Sequence, residues 1–100
     1  MAESCDPQDR AVAAKLLPLL DRPVAVAAYS LGGDPQVDWS HPLALVALAA
    51  AAEAAGDETL SDERLEAATQ LNRREPTYYG AAWTALGRIL LDTQLLGACP

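Results

Sequence analysis

The chain has no phenylalanine, one histidine, one methionine and, among its seven basic residues, one lysine. Aromatics make up 5% of its 100 residues, so a core built on large rings is excluded. Two cysteines, Cys5 and Cys99, stand at opposite ends of the chain, and with His41 as the sole imidazole they form neither a zinc spacing nor a CxxC redox motif. No metal site and no cofactor is expected. Basic residues are outnumbered two to one by the fourteen acids, giving a formal net charge of −7. Such a chain repels phosphate backbones and anionic lipid surfaces, which argues against nucleic-acid and membrane partners. The longest apolar stretch, residues 42–52, is well short of the roughly 20 residues a membrane helix needs. Residues 1–10 are acidic and polar where a signal peptide has a basic start and an apolar run, so the sequence reads as cytoplasmic as written, or secreted if it is a processed piece.

What is present is aliphatic. The apolar share is 51%, dominated by alanine and leucine, which favours closely packed helices in one small domain. The expected architecture is all-α: three to four helices packed as antiparallel hairpins, with one short extended segment around residues 24–31. A kinked N-terminal helix over about 7–21 is capped by Ser4 or Asp6, has Pro7 in its first turn, and is interrupted near Pro18, which lacks an amide proton. Gly32, Gly33, Asp34 and Pro35 end the extended segment with turn chemistry. A second helix, about 41–55, follows Ser40 as N-cap and stops at Gly56. It is apolar on nearly every face and needs neighbours on several sides, which makes it a candidate to bury itself against another chain. Ser61 caps a third helix, about 61–73, and Thr77 a fourth, about 77–92. In that fourth helix Tyr79, Trp83, Leu86 and Leu90 recur at four-three-four spacing and read as its core stripe.

Cys5 and Cys99 have two readings. A bridge between them would staple the ends of the domain and contribute about 4–5 kcal/mol in the chain-entropy model, as befits an oxidising compartment. The alternative is two unpaired thiols in frayed termini.

The run Pro76, Thr77, Tyr78, Tyr79, Gly80, Ala81, Ala82, Trp83, Thr84, Ala85, Leu86, Gly87, Arg88 resembles the closing helix of helical-barrel glycosidases, in particular glycoside hydrolase family 8 and similar bacterial cellulase-like proteins. In those proteins a Pro-x-Tyr-Tyr start opens the last helix of an (α/α)6 barrel. Ala28 to Gly33, and Ser40 to Leu45 leading to Gly56 and Asp57, look like the preceding barrel hairpins, so the resemblance spans roughly residues 24–99. It implies a non-catalytic C-terminal part of a carbohydrate-active enzyme, contributing barrel packing and sugar contacts. Its acid and base motifs have no counterpart here, and no pair of carboxylates is placed to face another across a cleft. A glycoside hydrolase activity is therefore expected only of a larger enzyme, with the missing barrel portion as partner.

Three residues are candidates for contact with a polysaccharide or oligosaccharide. Tyr78 lies off the fourth helix's core stripe and offers a flat apolar ring to a pyranose; Trp39 with Asp38, just before a helix cap, could line a cleft mouth. The plainer role for Trp39 is a staple on the first helical turn. His41 lacks an identifiable nucleophile or orienting acid, so it is not assigned as a general base, and no catalytic residue is named. Asp57, Glu58, Asp62, Glu63 and Glu66 read as a solvated helix entrance. The competing function is a small acidic helical interaction module that binds a protein or a second copy of the chain.

Overall fold

A computed structural model of the chain describes residues 4–21, 26–95 and 99. They form helices and one irregular hairpin, in the order α1 (Pro7–Lys15), α2 (Leu17–Leu20), the hairpin, α3 (Pro42–Ala54), α4 (Glu58–Arg74) and α5 (Tyr78–Asp92). The chain is all-α.

Asp6 starts α1 by accepting a hydrogen bond from the Gln8 amide at 2.8 Å. The expected kinked helix over 7–21 is instead two helices. The break is at Leu16, and Pro18 sits in the first turn of α2, where its missing N–H would have had no partner anyway. The extended segment expected at 24–31 begins outside the described residues, at 24 and 25. From Val26 onward it is one arm of a hairpin, joined by isolated antiparallel bridges between Val26 and Ser40 and between Tyr29 and Pro35. Its turn is closed by Gly33 at φ 90°, whose amide donates to the Ser30 carbonyl at 3.0 Å.

His41, rather than Ser40, caps α3: its Nδ1 accepts from the Leu43 amide at 3.1 Å, and Pro42 takes the first helical position. The exit of α3 and the entry of α4 are a single device. Gly56, at φ 84°, donates to the Glu53 carbonyl at 2.9 Å, and Asp57 donates to the Ala52 carbonyl at 2.9 Å, the paired bonds of a glycine-terminated helix. The Asp57 side chain then accepts from the Leu60 amide at 3.0 Å and begins α4. The helix therefore starts one turn before Ser61, which is buried inside it rather than capping it. A cap from Ser61 would have left the Leu60 amide and its neighbours unpaired, whereas Asp57 sits where the chain leaves the α3 turn.

Helix α3 is central. Helices α1, α2, α4 and α5 all pack on it, and of its residues Ala47 alone is exposed. Its apolar surface is thus largely covered within the chain, by α1, α2, α4 and α5. The core consists of Val46 and Ala49 of α3 against Leu65 and Ala68 of α4, with Leu45 and Leu91 at its edge. Ala49, Ala52 and Ala68 have no exposed surface. Small side chains at this seam leave little between the two helix backbones, the condition for close helix packing. Leu48 and Leu65 are the largest side chains fully enclosed, each contributing on the order of 2 kcal/mol by burial.

Cys5 and Cys99 are bonded, with their Cα atoms 5.4 Å apart across a sequence separation of 94. Arg10 on α1 donates to the Glu53 carbonyl of α3 at 3.3 Å, and Arg64 on α4 meets Asp21 after α2 at 3.3 Å. These partly exposed polar ties register the N-terminal helices on the bundle, and the Arg64–Asp21 ion pair adds little stability. Among the described residues no helix is long and apolar enough to cross a membrane.

Candidate interaction surface

The last helix docks by its smallest residues. Thr77 caps α5 by accepting from the Gly80 amide at 2.9 Å. Gly80, Thr84 and Gly87, spaced four and three, are the buried positions of the helix. A Cβ built on Gly80 would lie 2.8 Å from Thr77 Oγ1, 3.2 Å from Pro42 Cγ and 3.3 Å from Asn72 Oδ1. One on Gly87 would lie 2.8 Å and 3.1 Å from the two methyls of Val46 and 3.4 Å from Leu65 Cδ2. The 2.8 Å separations are shorter than real Cβ contacts, so a side chain at either position would require its neighbours to shift. Thr84 between them turns its hydroxyl inward and donates to the Gly80 carbonyl at 2.8 Å, so the buried polar atom is paired.

The stripe of Tyr79, Trp83, Leu86 and Leu90 is therefore not the core of the helix. The buried line is rotated from it, toward the glycines, and Tyr79 keeps 57% of its surface in solvent. Trp83 and Leu90 sit half-buried on one flank. His41, Tyr79 and Trp83 form a short ring ladder there, with centroids 5.7 Å and then 6.2 Å apart, the second contact edge-to-face. The Nδ1 of His41 is committed to its helix cap, which removes that nitrogen from any general-base role.

All the charge of α5 lies on the opposite flank and is consumed internally. Arg88 donates to Asp92 at 2.9 Å, to Glu66 at 3.0 Å and to Thr69 at 3.0 Å. The hydrogen bond to Asp92 does most to hold the Arg88 guanidinium above its ordinary pKa, with Glu66 adding to it against some loss by burial.

What remains is the outward side. At 100° per residue, Tyr78, Ala82, Ala85 and Ile89 point away from the bundle, with Tyr79 and Leu86 beside them. All six are exposed and none carries a charge. Tyr78 is the extreme case at 91%. Together they form a continuous uncharged, apolar helix face in a chain with 21% charged residues.

Of the three sugar-contact candidates, Tyr78 is on this outward side. Trp39 and Asp38 are elsewhere in the chain, on the hairpin arm that leads into α3. The carbonyl of Trp39 accepts from the Ala27 amide at 3.0 Å, and 56% of the residue's surface is exposed. The ring contacts found among the described residues include neither Tyr78 nor Trp39. An acidic recess of about 270 Å³ lies between Glu53, Glu58, Ser61, Asp62, Leu91 and Asp92. Among the described residues no group of three or more His, Cys, Asp or Glu side chains is arranged to hold a metal ion.

Of the outward side of α5, sequence reasoning finds Tyr78 alone, because it ranks positions by size. The signal that finds the rest is the four-three spacing of Gly80, Thr84 and Gly87, a line of small residues that invites another helix to press close. No protein family, no curated protein and no solved structure matches the chain.

Proposed function

We propose that the chain is a small helical interaction domain whose working surface is the outward side of α5. The observation that carries this reading is the uncharged face of Tyr78, Ala82, Ala85 and Ile89 in an otherwise acidic molecule. The bond between Cys5 and Cys99 supports it as well. It closes the helices into a covalently bounded unit, as small binding domains of oxidising compartments are closed, rather than leaving them open-ended like the terminal hairpins of a barrel. Immobilised wild-type chain and a Tyr78→Ser/Ile89→Gln variant, both with the disulfide intact, should differ when offered the purified chain and an extract of the source organism. At least one polypeptide, the chain itself included, should be held by the wild type and lost from the variant. Identical bound sets would overturn the reading.

A second reading follows from the exposure of Tyr78 and Trp39. In a terminal part of a glycosidase these rings would stack on sugars, with Asp38 accepting hydroxyl hydrogen bonds. Titrating cello-oligosaccharides against tryptophan emission tests it, since binding at Trp39 changes the emission and a flat response removes sugar contact there.

A further inference from the structure

Resting on the interaction reading above, we infer that the occupant of the α5 face is a second copy of the same chain, packed antiparallel about a two-fold axis that passes between Trp83 and Thr84. The outward positions run large, small, small, large: Tyr78, Ala82, Ala85, Ile89. Their four-three-four spacing is that of a seam between two helices crossing at a shallow angle. The order is also symmetric about the middle of the helix. Tyr78 and Ile89 are equidistant from the midpoint between Trp83 and Thr84, and so are Ala82 and Ala85. Reversing one copy against the other places Tyr78 level with Ile89 of the second copy at both ends and Ala82 level with Ala85 in the centre. A parallel pair would set Tyr78 on Tyr78 and Ile89 on Ile89, wide at one end and narrow at the other. The antiparallel pair is evenly spaced, which is the self-complementarity a two-fold interface requires.

Area and charge point to the same occupant. From their exposures, Tyr78, Tyr79, Ala82, Ala85, Leu86 and Ile89 offer on the order of 600 Å² per copy, so the pair can bury at most about 1,200 Å², a ceiling that just reaches the lower end of the range for specific interfaces. Arg88 and Asp92 are spent on each other and on Glu66, so the seam presents no charge by which a basic or acidic partner would be recognised. Two copies each of net charge −7 repel one another, and a seam without charge is how they can still meet.

Sedimentation equilibrium of the purified, oxidised chain from about 5 to about 500 µM tests this, the span bracketing the micromolar dissociation constants that an interface of this size supports. The mass should climb from 10.5 kDa toward twice that value, and should climb at lower concentration when salt is raised, because screening relieves the repulsion. Ala82→Arg and Ala85→Glu, both at exposed positions, should keep the helical circular dichroism of the wild type and each remain at 10.5 kDa. An equimolar mixture of the two should recover association, since the introduced guanidinium of one copy and the introduced carboxylate of the other come level only in the antiparallel register. Ile89→Gln serves as a milder disruption if either charged variant loses helicity. A wild type that stays at monomer mass at the highest concentration overturns the proposal, as does a dimer indifferent to Ile89→Gln and to both charged variants. If the wild type is monomeric yet still holds another polypeptide that the Tyr78→Ser/Ile89→Gln variant releases, the second copy is wrong and the interaction surface stands. If neither association is seen, both readings fall.

Discussion

Replacing Gly87 by alanine sets two opposite effects against each other. In a solvent-facing turn of a helix the change would stabilise by about 1 kcal/mol, because glycine loses more backbone freedom on folding than alanine does. At this position the new methyl lands 2.8 Å from Val46 Cγ1 and 3.1 Å from Cγ2. Val46 cannot step aside: it is β-branched and held to one rotamer in a helix, and it is buried against Ala49, Leu65 and Ala68. The strain must therefore be taken up by moving α5 off α3 and α4, and overpacking of this kind costs about 1–3 kcal/mol. With Val46 held in place the upper part of that range applies, about 2–3 kcal/mol against a gain of about 1, so Gly87→Ala should lose a net of about 1–2 kcal/mol, about 5–10 °C in melting temperature for a domain of this size. A double-mutant cycle isolates the cause. Val46→Ala alone should cost about 2 kcal/mol, but it removes both of the obstructing methyls, so Val46→Ala/Gly87→Ala should be less destabilised than the sum of its parts by about 1 kcal/mol or more. Urea unfolding followed by circular dichroism, with the disulfide oxidised, measures all four chains. A Gly87→Ala chain as stable as wild type, or a cycle that adds, would refute the claim that α5 docks through its glycines.

Reducing the Cys5–Cys99 bond should lower the stability by about 4–5 kcal/mol in the chain-entropy model, a large part of what a domain of this length has, seen as a displaced urea midpoint with and without reductant; an unmoved midpoint would show that the closure carries no stability. Asp57→Ala should cost about 1 kcal/mol by uncapping α4, whereas Ser61→Ala should change stability by less than about half that, and the reverse order would place the helix start at Ser61 instead. His41→Ala should likewise cost about 1 kcal/mol through loss of the Nδ1 cap on α3, with His41→Asn restoring most of it, and equal melting temperatures in all three would remove the cap from the account.

The elements that could be read from the sequence are those whose ends are written in local chemistry. Gly56 marks the exit of α3 because only a residue without a side chain takes φ 84° comfortably, and Thr77 marks the entry of α5 because its hydroxyl has an amide to satisfy. Where two neighbouring residues compete for the same cap, sequence cannot decide between them. Asp57 and Ser61 are both good N-caps, and Asp57 wins because the bonds that close α3 leave it poised at the start of the next helix. Ser40 is a better intrinsic cap than His41, yet it is drawn into the bridge with Val26, and His41 is left to serve.

In helix α5 the burial departs from hydrophobic periodicity for a deeper reason, and the same reason defines the site. Hydrophobic periodicity assumes that the largest apolar residues go inside, which holds when helices pack at ordinary distance. Gly80 and Gly87 let the backbone of α5 reach Pro42 and Val46 directly, and the contact made by absent side chains outweighs the burial of Tyr79 and Leu86. Rotating the helix to bury its aromatic stripe would pull those glycines out of contact and open space beside Val46 and Leu65, where a lost methyl group's worth of packing already costs on the order of 1 kcal/mol. The small residues thus fix the phase of the helix, and the phase dictates that Tyr78, Ala82, Ala85 and Ile89 face outward. The apolar surplus of the alanine-rich α3 is absorbed by four surrounding helices. It reappears on α5 as a surface, on a side of the bundle that none of the described residues covers.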